Sequence, residues 1–390
     1  MAHIIDIATA VPGYRVNNHE FRNFYSEALA TSGLNPISKK LTLFIEKTKI
    51  MSRYSCIPDF RGVTSELFRD GNYNPSIEKR ITVFKEKLLP LATAAIDKLF
   101  KWNNIMPSEI THLITVSCTG LFAPGLEFLI ADHYAMTHVE KLGLNFLGCY
   151  AAVKAIKHAN YIAQAVPSAC ILIVCAELCS LHFNPSSADE DIIPNLLFAD
   201  GAAAVILCGN ECLHGNDKTA LAIDAVDSAY LPNTSDLMTW NISSGAFNMY
   251  LNKNIVGAFK ESIAATVNNF LTGSESNPDY WAIHPGGVGI VEAVRQSLNL
   301  TAADVEDSLD ILTNYGNMSS PTILFILKEI MNKIRSEVNG ENKKIFACAF
   351  GPGLTVEMIG LSAKESIIKR QSSNGHTNYS IQAEIKLLRN

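Results

Sequence analysis

Basic charge is scarce in this chain: 32 Lys and Arg stand against 38 Asp and Glu, a net charge of −6. Binding along a nucleic-acid backbone needs a basic face, so that class of partner is set aside. No apolar run is long enough to span a bilayer, and one of the longest, Ala199 to Cys208, contains Asp200. Membrane insertion is therefore not expected. The opening Met1-Ala2-His3-Ile4-Ile5-Asp6 lacks a basic segment leading into an apolar stretch. It does not read as a secretory signal, and a cytoplasmic setting is the expectation. Gly-rich nucleotide fingerprints, HExxH and P-loop patterns are missing too. The nine cysteines are odd in number and lack framework spacing, which favours reduced thiols over disulfides. Triplets such as Asn241-Ile242-Ser243 then carry no glycan meaning. Cys170, Cys175 and Cys179 lack the spacing of a zinc site, Cys170 and Cys175 read as core, and no metal is expected.

What is present is apolar material. Hydrophobic residues make up 48% of the 390 residues and charged residues 18%, enough for buried sheets and too much for disorder. The length exceeds one ordinary domain and predicts two similar halves or one large layered unit. Leu113–Ser117, Ile171–Ala176 (ending in Glu177) and Ala202–Leu207 are continuous apolar runs, as in strands buried on both faces. Helical spacing marks Leu89–Phe100 and Ala152–Ala163. The later chain repeats the idea. Leu221–Tyr230 and Tyr280–His284 predict strands, and Ile255–Phe270, Val288–Leu298 and Pro321–Glu337 predict helices. Lys344–Ala349 and Thr355–Leu361 read as a strand pair. The polar stretch Gly209–Lys218 separates two α/β halves, placed at 1–215 and 216–390, and the polar tail from Lys364 reads as partly mobile.

Three islands carry the chemistry: Leu147-Gly148-Cys149-Tyr150-Ala151-Ala152, Trp281-Ala282-Ile283-His284-Pro285-Gly286-Gly287 and Tyr315-Gly316-Asn317-Met318-Ser319-Ser320. Cys149 lies between a strand end at Leu144–Leu147 and a helix beginning near Ala151, where the helix dipole favours a thiolate. A small buried thiol is the plain alternative. His284 sits at a strand tip before Pro-Gly-Gly, and as an imidazolium it would stabilise that thiolate. Taken alone, it reads as an ordinary hydrogen-bonding histidine. Asn317 offers amide donors to a developing oxyanion. Its competing reading is a turn or cap residue ahead of Pro321, with Ser319 or Ser320 as the cap instead.

With a fourth island, Ala349-Phe350-Gly351-Pro352-Gly353-Leu354-Thr355-Val356-Glu357, the set resembles the chalcone-synthase-like (type III) polyketide synthases of the thiolase-like superfamily, from about Ile5 to Ser362. The resemblance implies a duplicated αβαβα layered sandwich, a homodimer, and catalysis by Cys149, His284 and Asn317. It implies an acyl-CoA starter loaded on Cys149, decarboxylation of malonyl-CoA and iterative Claisen condensation, with coenzyme A thioesters as substrates and no resident cofactor. Phe198 matches the family's gatekeeping phenylalanine, with plain core as the alternative. The second gate falls on Met249, with Phe247 close by. Cys118, Thr119, Ala123, Cys179, His182, Thr239, Trp240 and Ser319 become candidates for the substrate cavity. Phe350, Gly351, Pro352 and Gly353 become the scaffold of the cyclisation cavity. Lys47, Lys49 and Arg53 lie where the family binds the coenzyme A phosphates; a solvated helix face is the other reading. Three further readings stand beside this one: a single-round ketoacyl synthase fed by a carrier protein, a non-catalytic scaffold and a cysteine hydrolase. The starter, the number of extensions and the ring formed (pyrone, resorcinol or resorcylic acid) stay open.

Overall fold

Every second residue of the central strands points to the same side, and that alternation sets the layers. The computed structural model describes residues 2–364 except 63, 69–70, 213–218, 273–276 and 338–341. The first part of the chain forms β1 (His3–Ala10), β2 (Tyr14–Asn17), α1 (Asn18–Thr31), α2 (Ser38–Thr48), β3 (Ser52–Ser55) and α3 (Ile77–Asn103). It continues as β4 (His112–Ser117), α4 (Leu126–His133), β5 (Glu140–Asn145), α5 (Ala151–Ala165), β6 (Cys170–Leu178), α6 (Asp189–Leu197) and β7 (Asp200–Cys208). The second part holds β8 (Ala220–Tyr230), β9 (Met238–Ile242), β10 (Phe247–Leu251), α7 (Ile255–Leu271), β11 (Tyr280–Ile283) and α8 (Val288–Ser297). It ends with α9 (Glu306–Tyr315), α10 (Thr322–Ser336), β12 (Lys344–Gly351) and β13 (Thr355–Lys364).

Nine strands form one mixed sheet in the order β11-β12-β13-β8-β1-β7-β6-β4-β5. Its two halves meet through a joint of two residue pairs, His3 with Ala222 and Ile4 with Leu221. In β6, Cys170, Leu172, Val174 and Ala176 enter one core, packed with Leu88, Ala92, Ala95 and Leu99 of α3. The intervening Ile171, Ile173 and Cys175 enter a second core with Ala152, Ala155, Ile156 and Ala159 of α5. β12 does the same: Ile345, Ala347 and Ala349 join that second core, whereas Phe346, Cys348 and Phe350 face Phe259, Ile263 and Val294 of α7 and α8. α5 and α10 thus lie between the two half-sheets, with α3 outside one and α7 and α8 outside the other. This is the thiolase-like αβαβα order. Strands buried on both faces explain the unbroken apolar runs.

Several expected bounds move. The helix expected from Leu89 begins at Ile77, because Ile77, Ile81, Phe84 and Leu88 extend the same stripe and Ser76 caps it by accepting from Lys79 N–H. The strand before Cys149 ends at Asn145 rather than Leu147. The expected 215/216 boundary and the tail after Lys364 lie outside the described residues. Among the described residues no helix is long and apolar enough to cross a membrane.

Candidate active site

The parallel strands β4, β5 and β6 end side by side, and their carboxyl ends open onto a cavity, the usual place for a ligand in such sheets. Cys118 and Thr119 follow β4, Gly148 and Cys149 follow β5, and Cys179 follows β6; all five line the cavity. It encloses about 990 Å³, its open mouth included. β9 and β10 close one side through Met238, Trp240, Phe247 and Met249, and Phe198 and Ser319 complete the wall near Cys149.

The turn that presents Cys149 depends on glycine. Gly148 has φ +90°, and a Cβ there would lie 2.8 Å from Pro352 Cδ. Cys149 is 7% exposed, and burial pushes its thiol up to about 11. The Ser319 and Asn317 side chains act the other way, as expected for groups that favour a sulfur anion. Burial therefore opposes the thiolate that the helix start is expected to favour.

Asn317 does not cap a helix. It bridges Phe198 as an isolated β pair, donating its N–H to Leu197 O and accepting from Ala199 N–H, both at 2.9 Å. Its Oδ1 accepts Ser319 N–H at 2.8 Å and so holds Ser319 at φ +60°. Neither Ser319 nor Ser320 caps α10, whose N-cap position is Pro321.

His284 follows β11, its N–H donating to Cys348 O at 2.9 Å. A Cβ at the nearby Gly287 would meet Leu197 at 3.7 Å, the residue whose carbonyl holds Asn317. Both ring nitrogens of His284 are buried, and neither has a hydrogen-bond partner among the described residues. Burial pushes the imidazole down to about 3. Burial thus works against the expected imidazolium–thiolate pair, raising the thiol and lowering the imidazole. Cys149 and Ser319 lie on the cavity wall, Asn317 favours the Cys149 thiolate, and neither Asn317 nor His284 is among the lining residues.

His182 is a fixed wall residue. It accepts Phe247 N–H at Nδ1 (3.1 Å) and so donates from Nε2 to Thr119 O (2.6 Å). Burial holds it near 3, neutral, with its ring stacked on Phe247 at 4.4 Å. Trp240 donates Nε1–H to Cys118 O at 2.8 Å.

Other candidates sit elsewhere. Thr239 alternates with Met238 and Trp240 along β9 and turns from the cavity, and Ala123 is exposed on a loop. Of the four loop residues only Pro352 lines the cavity. Phe350 points into the outer core against Phe259, and Gly351 accommodates the Tyr150 ring. Lys47 and Lys49 are exposed at the end of α2. Arg53 lines the cavity from a buried position: it is 3% exposed, stacked 4.2 Å from the Phe21 ring centroid, and donates to Leu196 O at 2.6 Å.

Sequence reasoning passed over Glu177 as a binding residue. This fully buried carboxylate accepts from Cys118 N–H, Thr119 Oγ1 and Ser320 Oγ, each at 2.8 Å, and ties three cavity segments together. Burial pushes it up to about 6. The signal was an acid closing an otherwise apolar strand, a position that needs hydrogen-bond partners.

Known proteins resemble this chain over most of its length. The profile for chalcone and stilbene synthases, N-terminal domain, matches residues 1–211, and that for the C-terminal domain matches residues 222–364. An "alpha-pyrone synthesis polyketide synthase-like" protein of Mycobacterium tuberculosis is 27% identical over 361 residues, covering 92% of this chain and 90% of its own. The crystal structure of PKS-I from the brown alga Ectocarpus siliculosus superposes with a TM-score of 0.86 at 29% identity, covering 93% of this chain and 98% of that one. The C-terminal type III polyketide synthase domain of Steely1 from Dictyostelium gives 0.82 at 26% identity, covering 93% and 99%. With two matching profiles spanning most of its length, the chain belongs to the chalcone and stilbene synthase family of type III polyketide synthases, condensing acyltransferases on a thiolase-like fold.

Proposed function

We propose that Cys149 carries the growing acyl chain while His284 and Asn317 hold the oxyanions of a repeated decarboxylating condensation. The observation that carries this reading is the Cys149 thiol, set beside Ser319 at the wall of the cavity with Asn317 and Ser319 both favouring its thiolate. As sulfur attacks an acyl-CoA carbonyl, its proton passes to the one unprotonated ring nitrogen of His284, a ring with no hydrogen-bond partner among the described residues. The tetrahedral adduct collapses, and coenzyme A leaves as its sulfur regains a proton. Malonyl-CoA then enters, and its thioester oxygen accepts hydrogen bonds from His284 and Asn317. Its C–C bond to the carboxylate breaks, carbon dioxide departs, and the electron pair becomes the enolate. Phe198 keeps the carboxylate's surroundings apolar, which favours its loss as a neutral molecule. The enolate carbon attacks the Cys149 thioester, and the longer β-ketoacyl chain returns to Cys149 for the next round. The electrons come from the broken bond, so this chemistry asks for no resident cofactor.

The reading includes a homodimer and a cytoplasmic setting. β5 pairs on one side only, with β4, and Leu121 and Phe128 nearby are 41% and 46% exposed, which supports a partner there. Nine cysteines with no disulfide among the described residues support a reducing compartment. The test is a panel of acyl-CoA starters with labelled malonyl-CoA, products read by mass. Medium or long aliphatic starters are expected to outperform a coumaroyl starter. Products that incorporate label more than once support iteration, and a single-round product or dependence on a carrier protein contradicts it.

A further inference from the structure

Three thiols meet inside the fold, away from the cavity. Cys170 opens β6 and Cys208 closes β7, and the antiparallel register sets them opposite each other with both side chains in the outer core. Eight strand steps separate Cys170 from Leu178 at the cavity end of β6, about 26 Å at the usual rise. Cys212 returns over Cys208 through a turn fixed by three backbone bonds: Gly209 N–H to Ala169 O, Glu211 N–H to Pro167 O and Cys212 N–H to Gly209 O. A Cβ at residue 209 would lie 2.2 Å from Pro167 O, so the turn requires its glycine. The framework around the sulfurs is therefore set without a ligand.

The sulfur spacing is unlike that of three idle thiols. Sγ of Cys208 lies 3.0 Å from Cys212 and 4.0 Å from Cys170, and all three lie within 4.8 Å of one another. Even carbon atoms, smaller than sulfur, make ordinary contact at about 3.5–4.0 Å. A zinc–sulfur bond of about 2.3 Å puts the sulfurs of a tetrahedral site about 3.8 Å apart, between the two measured separations. A disulfide needs about 2.0 Å and would leave the third thiol unexplained. The three residues are 1%, 0% and 4% exposed, a water-poor setting of the kind in which thiolate–metal bonds are protected.

We propose that Cys170, Cys208 and Cys212 together bind one zinc ion, their thiolates taking three corners of a tetrahedron. Each S–H gives its proton to solvent as its sulfur bonds the ion, with no change of oxidation state. The ion would clamp the start of β6 to the end of β7 and to the turn after it. It would act on stability and not on the condensation chemistry.

The test begins with wild-type protein isolated from zinc-supplemented culture without chelator. About one zinc per chain is expected by elemental analysis and by native mass spectrometry. Cys208→Ser and Cys212→Ser are expected to lower that content about tenfold or more. Cys175→Ser, on the opposite face of β6, should retain it. A readout that needs no variant is cobalt(II) substitution, which should give thiolate-to-cobalt charge-transfer absorption in the near ultraviolet. Zinc added to metal-stripped protein should raise the melting temperature. The proposal is overturned if reconstituted wild type binds neither zinc nor cobalt, if the metal survives loss of Cys208, or if thiol blocking reveals a Cys208–Cys212 disulfide in place of bound metal.

Discussion

The side-chain oxygen of Asn317 accepts the Ser319 N–H at 2.8 Å, which leaves the amide nitrogen of Asn317 as the group available to favour a Cys149 thiolate. One residue thus shapes a left-handed turn with one atom and serves the reacting centre with the other. Asn317→Asp separates the two roles, because a carboxylate keeps the acceptor and removes the donor. Malonyl-CoA decarboxylation is expected to fall about 10²–10³-fold, the usual cost of losing one oxyanion donor. The melting temperature should stay near wild type. A variant equally slow but strongly destabilised would point to a purely structural role.

His284 is expected to set how readily Cys149 reacts. Burial raises the thiol to about 11, so on its own it supplies little thiolate at neutral pH. With His284 as proton acceptor the sulfur can attack there. His284→Ala should slow iodoacetamide alkylation of Cys149 at pH 7 about tenfold or more. In that variant the rate should keep climbing above pH 9, following the raised thiol. Identical pH profiles for variant and wild type would contradict a proton relay between the two.

Trp240 is expected to limit the length of the acyl chain. Its ring is tethered to Cys118 O and packs edge-on to both His182 and Phe247. Trp240→Ala should shift preference toward longer starters by about tenfold in kcat/KM, measured as a ratio between two chain lengths. An unchanged ratio would place the length limit elsewhere.

Acid sensitivity should centre on Asp6. Burial alone would push this carboxyl up; Arg335 and Lys328, each 2.9 Å from Oδ1, outweigh burial and hold it below its ordinary value. A depressed carboxyl contributes stability that is fully present above its unfolded pKa, about 3.9, and lost as pH falls through the folded value. Asp6→Asn should cost on the order of 3 kcal/mol at pH 7 and flatten the acid limb of the stability curve, as read by urea unfolding.

Strands with continuous apolar runs and helices with clean stripes were legible, because burial on two faces or one leaves a period in the residues. β6, β7, α5 and α7 are found within a few residues of their expected bounds. The three reactive islands were legible as chemistry set against small residues. Orientation was not. Thr239 and Trp240 are neighbours, yet only Trp240 reaches the cavity, and nothing before the pairing of β9 with β10 fixes which of them does. Arg53 read as a surface cation, but β3 pairs with β2 and carries it under Phe21. Cys170 and Cys175 are close in sequence and face opposite cores. Cys170 and Cys208 are far apart and meet through antiparallel register.

The most direct measurement is the mass of the intact protein after incubation with a hexanoyl-CoA starter and no malonyl-CoA. Wild type should gain one hexanoyl group, stable until malonyl-CoA is added and then replaced by longer adducts or lost as product. Cys149→Ala should gain nothing. An adduct of the same mass and yield on Cys149→Ala, or none on folded wild type, would contradict the assignment of Cys149 as the carrier of the chain.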